Sequence, residues 1–304
     1  MELEPKTAKL ISVISENNMF QAKALNGFAE QLSREEKDAL AALLELYTGQ
    51  GDTVEHLAEC YLRFIQDIME EQLYFIKNRR YRYSSGEEVN SFFYQNPDYM
   101  EYYMKGLAVS IYLMEAHRRC REWFCKKTAG LGPGEYWLDV GVGHGEYFQL
   151  AVRHTDYEHY LGIDISPTCV QLCREMMELR LPQSAKNFEV RVQDFFQYDG
   201  PVCDAVILGE ILEHVESPRA FLEKVYEITR EGSFIYVVTA VNCPQKDHIY
   251  LFRTVEEIEE MYRGAGFGIS DRLVCPTNGY TIEKALKKQT AIITAHVLTR
   301  EPEK

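Results

Sequence analysis

Apolar positions along the first 130 residues recur at helical spacing, and after residue 134 they gather into short runs set between helical stretches. Ser33 with Glu36 three residues on has the form of a capping box, and Leu40, Leu43, Leu44 and Tyr47 make the apolar stripe behind it, stopped by Gly49. Asp52 and Glu55 repeat the device ahead of Val54, Leu57, Ala58, Tyr61, Ile65, Ile68, Met69 and Leu73. Asn96-Pro97, a cap followed by proline at the first helical position, predicts a third long helix running towards Thr128. Gly130-Leu-Gly-Pro-Gly134 is the clearest linker, so the chain divides into a helical region, 1–130, and a second region, 131–304.

In the second region strand patterns fall at 136–141, 159–164, 188–193, 203–208 and 233–239. Helical patterns at 145–153, 167–179, 217–229 and 254–264 separate most of them. Such alternation marks an α/β fold with an open, mostly parallel sheet. The tail adds GFGISDRLVC and TAIITAHVLT, with no helix-length apolar repeat clearly between them, which predicts an antiparallel pair at the sheet edge and seven strands in all.

Charge and cysteine usage narrow the function classes. A net charge of -14 and a pI near 5.1 weigh against a nucleic-acid partner, which would need a basic face strong enough to overcome that field. The eight cysteines form no C-x-x-C pair and several sit in apolar runs, so they read as reduced, buried thiols rather than disulfides or a zinc site. The charged start MELEPKTAKL has no apolar stretch behind it, and no run of about 18 apolar residues exists anywhere. A cytoplasmic protein without signal peptide or membrane span is the expectation.

Candidate chemistry starts at YWLDVGVGHGEY, residues 136–147. An apolar run ends in Asp139, and Gly141, Gly143 and Gly145 follow at every second position. This is the pattern of a buried strand turning sharply into a helix, with backbone left bare for a ligand. The spacing is not the G-x-G-x-x-G of dinucleotide binders, which sets NAD aside. It resembles the first motif of the class I S-adenosylmethionine-dependent methyltransferases. The resemblance covers roughly residues 132–300 and implies a seven-stranded Rossmann-like sheet. In that family the acid after the first strand serves the amino-acid end of the cofactor. Asp164, ending the second strand, is placed to accept both ribose hydroxyls, and Ile165 lies beside it. Asp194 and Phe195, ending the third, match the positions where the family often has an acid for the adenine amino group and an apolar neighbour. Gly209 at the end of strand four completes the expected cofactor set. Each acid alone is more often a helix or turn cap; three in order at successive strand ends are far more specific.

Strand four runs into Gly209-Glu210-Ile-Leu-Glu213-His214. If these form one helical turn, Glu210, Glu213 and His214 at i, i+3 and i+4 point the same way and make a mixed O/N site for a divalent cation such as Mg2+. The E-x-x-E-H sequence is similar to one in the ubiquinone-pathway O-methyltransferases and the small-RNA 2′-O-methyltransferases, where a further histidine after the fifth strand can complete the shell. His248 is the candidate here. Without a metal, His214 or His248 serves as general base; His144, inside the glycine turn, reads as structural.

Between the second and third helices lies a stretch rich in tyrosine, from Tyr74 to Tyr103, with Arg79, Arg80 and Arg82. It reads either as an interdomain or dimer surface, or as a lid giving an aromatic wall to a substrate pocket with arginines for an anionic group. YRYSSGEEV is a candidate hairpin of a winged-helix dimerisation module. The expected function is methyl transfer from S-adenosylmethionine to a small, aromatic or hydroxylated metabolite, with a homodimer through the helical region as one arrangement. The rivals are an RNA 2′-O-methyltransferase and a non-catalytic cofactor-binding scaffold.

Overall fold

The computed structural model describes residues 3–181 and 187–301; the outermost residues of the two expected regions, 1–2 and 302–304, lie outside it. The helices before the sheet are α1 (Pro5–Asn17), α2 (Met19–Ala24), α3 (Phe28–Gln31), α4 (Arg34–Gly49), α5 (Val54–Asn78), α6 (Gly86–Val89), α7 (Pro97–Leu113) and α8 (Glu115–Thr128). The capping box of Ser33 and Glu36 forms as the sequence predicts. The cap of α5 is Thr53, not Asp52: its hydroxyl accepts the His56 N–H, while Asp52 instead receives the Lys105 ammonium.

The third long helix is two. The chain breaks at Met114, and the Arg118 guanidinium donates to the carbonyls of Tyr112 and Leu113 at 3.2 and 3.3 Å. A helix end leaves its last carbonyls without partners, and here a side chain from the following helix supplies them. Helices α5 and α7 cross closely at Gly106, where a Cβ would meet the Cys60 carbonyl at 2.7 Å. The segment YRYSSGEEV forms no hairpin; Ser85 caps the short α6, and residues 90–94 continue as a π turn.

The sheet has seven strands: β1 (Gly134–Val140), β2 (Tyr157–Asp164), β3 (Phe188–Val192), β4 (Cys203–Gly209), β5 (Thr229–Val241), β6 (Phe267–Pro276) and β7 (Ile292–Arg300). Their order is β3-β2-β1-β4-β5-β7-β6, parallel except for β7, which runs antiparallel to both neighbours. Alternate residues feed two faces: Trp137, Ala205 and Ile207 one, Leu138, Val206 and Leu208 the other. Helices α8, α9 (Glu146–His154) and α10 (Pro167–Arg180) cover the first face; α11 (Pro218–Glu227) and α12 (Val255–Gly264) cover the second. A short helix, α13 (Ile282–Lys288), stands between β6 and β7, where the sequence shows no helix-length repeat. The other N-terminal helices form a third apolar cluster that reaches Cys169, Met176 and Ile249, so they pack directly over the carboxyl ends of the strands.

One buried histidine gives a pH prediction. His296 on β7 has no exposed surface, lies under the Tyr262 ring, and has Nε2 3.6 Å from Glu259 Oε1, with Arg263 and Arg272 also bound to Glu259. Burial pushes its pKa down from 6.5 to about 4, against the pull of Glu259. The unfolded chain therefore takes up a proton that the fold refuses as pH drops from 6.5 to 4. Stability is full above that window and falls within it, by roughly 3 kcal/mol at most. Urea titrations at pH 7 and pH 4 should show His296→Leu losing markedly less stability between the two than the parent chain.

Candidate active site

The order reversal between β1 and β4 opens a crevice beyond the carboxyl ends of the parallel strands, where ligands bind in open α/β sheets. A cavity of about 240 Å³ lies there. Asp139, Gly141, Gly143, Asp164, Ile165, Asp194, Phe195 and Gly209 all line it. Gly145 does not: it stands behind the turn, where a Cβ would meet Cys173 Sγ at 2.8 Å, and serves the close approach of α9 and α10.

Three acids end three strands. Asp139 is buried with Oδ2 unpartnered in the protein, and burial holds its carboxyl well above the usual range. Asp164 accepts the Gly143 N–H on Oδ2 at 3.1 Å and the Ser166 N–H on Oδ1 at 2.8 Å. The left-handed backbone of Gly143 (φ 54°) aims that N–H across to β2. Burial raises the Asp164 pKa and the two N–H donors oppose it. Asp194 Oδ1 accepts the Phe196 N–H at 2.9 Å, which starts a 3-10 turn and sets Phe195 against Phe221 at 5.0 Å between ring centres.

The donors after β4 are arranged differently from the predicted helical turn. Glu210 is left-handed (φ 56°) and only residues 212–214 coil, as 3-10 helix, so Glu210 does not join the others. Its Oε1 lies 3.7 Å from His117 Nε2. Glu213, His214 and His248 do converge: one ligand atom of each lies within 4.8 Å of the other two. The Glu213 carbonyl accepts the N–H groups of Ile249 and Tyr250 at 2.9 and 3.0 Å, which ties the two loops together.

Each of the three has a free electron pair. Glu213 is 1% exposed; Oε2 accepts the Thr239 hydroxyl at 2.7 Å and Oε1 has no partner in the protein. Burial pushes its pKa up to about 7, against the pull of His214. His248 Nδ1 is 2.6 Å from the Cys243 carbonyl; a carbonyl only accepts, so Nδ1 carries the proton and Nε2 the lone pair. Burial pushes its pKa down to about 3, so it stays neutral. His214 Nδ1 lies 3.2 Å from the Asp247 carbonyl, which fixes the same tautomer. The two rings meet edge to face, 4.5 Å apart.

Three further residues carry the site. Asp247, one position before His248, lies with Oδ2 3.5 Å from His214 Nδ1. That oxygen accepts the Tyr103 hydroxyl at 2.8 Å and the Tyr94 hydroxyl at 3.3 Å. Of the tyrosine-rich segment, Tyr94 and Tyr103 line the cavity, and Tyr99 stacks on Tyr103 at 5.2 Å between ring centres. Asp247 carried no signal beyond its place beside His248. The arginines of that segment do not line the cavity, and Arg82 is held on Glu71 at 2.9 Å. His144 lines it, buried, with Nδ1 unpartnered and its pKa lowered by burial.

Residues 138–235, from β1 into β5, match the family described as a methyltransferase domain. This part of the chain is a class I S-adenosylmethionine-dependent methyltransferase domain. Among curated proteins the methyltransferase core is similar to the ubiquinone biosynthesis O-methyltransferases of Acinetobacter baumannii and Acinetobacter baylyi. Each is 25% identical over 134 residues, which is 44% of this chain and, respectively, 54% and 53% of the relative. The chain thus spans about half the length of the curated relatives it matches. Among solved structures the methyltransferase fold overlays the cyclopropane synthase MmaA2 of Mycobacterium tuberculosis with a TM-score of 0.54 at 14% identity, covering 72% of this chain and 99% of that one. The phosphoethanolamine N-methyltransferase 2 of Haemonchus contortus, in complex with S-adenosylmethionine, gives 0.52 at 13%, covering 73% and 61%. At these identities the two structures speak to the fold alone.

Proposed function

We propose that this chain transfers a methyl group from S-adenosylmethionine to a small, ring-bearing, hydroxylated acceptor, with an amine as the second acceptor class and specialised metabolism as the setting. Residues 1–130 act as a helical cap on the catalytic region 131–304. The cofactor lies along the acids ending the first three strands, with Asp139 at its amino-acid end, Asp164 on the ribose and Asp194 with Phe195 at the adenine. Glu213, His214 and His248 hold a divalent cation such as Mg2+. The observation that carries this is the orphaned Glu213 oxygen beside two imidazoles whose Nδ1 protons are already committed, a donor set that suits a cation.

The bound cofactor supplies the methyl group on a reactive sulfonium, and a bound cation lowers the pKa of the acceptor hydroxyl. The chain's own work is alignment, exclusion of water and proton transfer. Tyr94, Tyr103 and the α7 side chains Met100 and Met104 roof the cavity. With Nδ1–H held on the Asp247 carbonyl, His214 has one lone pair, on Nε2: it serves the cation when one is bound, and it takes the acceptor's proton only when none is. His248 is a poor base, since burial holds it neutral far below pH 7.

The Asp247–His214 contact favours a second version, without a metal, in which His214 alone is the base. The acidic charge weighs against an RNA acceptor, and the complete set of strand-end acids weighs against a scaffold. No helix among the described residues is long and apolar enough to cross a membrane; a cytoplasmic location is the matching proposal. A homodimer would use the helical half, where Met19, Phe20 and Leu73 are exposed. Calorimetry with S-adenosylmethionine, then transfer of labelled methyl groups to phenols, amines and RNA with and without chelator, tests the reading. Absence of binding at millimolar cofactor would overturn it, and full turnover in excess chelator would leave only His214 as base.

A further inference from the structure

Asp247 is 1% exposed and lines the cavity, yet its two oxygens are treated unequally. Oδ2 receives both tyrosine hydroxyls and faces His214, whereas Oδ1 has no partner in the protein. A buried carboxylate oxygen without a donor is disfavoured, and at the edge of a cavity a donor brought by a water or a ligand would satisfy it. The surroundings describe that ligand. Tyr94, Met100, Tyr103, Met104 and Leu107 give flat and apolar walls, suited to a ring. We infer that Asp247 selects the acceptor by taking a hydrogen bond on Oδ1 from an O–H or N–H group that the ring carries.

The inference rests on the reading of this cavity as the acceptor site and adds the residue that reads the acceptor. Tyr94 and Tyr103 matter as much as the carboxylate. Their hydroxyls donate, so they pin whichever oxygen they touch and leave the other atom to the ligand. In Asp247→Asn the same two donors hold the amide oxygen at the Oδ2 position and place the NH2 at the Oδ1 position. The atom at the Oδ1 position then donates instead of accepting, with almost no change of shape. A merely structural Asp247 would not reverse a ligand preference.

The test uses the full chain saturated with S-adenosylhomocysteine, whose binding is measured first and reports separately on the cofactor reading. Phenol and anisole, which differ in one donor, are then titrated by ligand-observed NMR into the parent chain and Asp247→Asn. The parent should prefer phenol by about tenfold, the factor one hydrogen bond to a charged acceptor gives. Asp247→Asn should bring the ratio to one or below while keeping its affinity for S-adenosylhomocysteine. Phe in place of Tyr103 should give an intermediate ratio, because the amide or carboxylate is then held by Tyr94 alone. Equal affinity for the two probes in the parent chain would overturn the inference. So would a phenol preference that Asp247→Asn leaves unchanged, which would place the donor on Glu213.

Discussion

Glu213→Gln should abolish divalent-cation binding while leaving the fold as stable as before, or more so. Glutamine keeps the carbonyl oxygen that accepts the Thr239 hydroxyl, so the interior loses no hydrogen bond. It also removes a carboxylate that is 1% exposed and has one oxygen without a partner, which is costly in the absence of a cation. The cation loses its only anionic ligand among the three converging donors. Altering outer-shell partners alone costs metal sites about 10–100-fold in affinity, so removing this one should exceed about 100-fold. Titration of Mg2+ or Mn2+ by calorimetry, beside thermal melts in chelator, checks both halves. Cation affinity retained by the variant would return Glu213 to a packing role and leave the Asp247–His214 pair to act alone.

The end of this site proposed for the cofactor was far more legible in the sequence than the end proposed for the acceptor, for a physical reason. Cofactor residues sit where strands stop, and a strand's stop is written locally: an apolar run, an acid, a glycine. Asp139, Asp164 and Asp194 could be placed one after another without knowing how any two strands pair. The donor set after β4 could not. Its geometry depends on one left-handed residue, Glu210, and a periodicity argument has no access to a positive φ at a non-glycine position. Asp247 was hidden more completely, because its importance comes from Tyr94 and Tyr103, about 150 residues away in sequence. The break at Met114 escaped likewise: no glycine or proline marks it, and Arg118 makes it tolerable through a side-chain contact back to the Tyr112 and Leu113 carbonyls that an apolar periodicity does not record. The number of strands and the antiparallel pair at the sheet edge were legible, but their order was not, since strand spacing alone does not distinguish one doubly wound order from another.

Asp164→Ala should weaken binding of S-adenosylhomocysteine by about 1–3 kcal/mol, the contribution of hydrogen bonds to a charged acceptor. Two effects are folded into that number. Each Asp164 oxygen already takes one backbone N–H, from Gly143 and from Ser166, and has a second lone pair left for a ribose hydroxyl. Alanine therefore removes ribose contacts and also releases the Gly143 N–H that fixes the glycine turn. A double-mutant cycle separates them. With an S-adenosylhomocysteine analogue lacking both ribose hydroxyls, the parent chain should already bind weakly, and Asp164→Ala should then cost only the share that comes from the turn. If the substitution costs the same with and without the hydroxyls, the carboxylate holds the turn and the ribose is read elsewhere. If it costs nothing with the analogue, the turn holds its shape through the bonds of Gly141 and Val142 to the Ile163 carbonyl, and the whole loss belongs to the ribose.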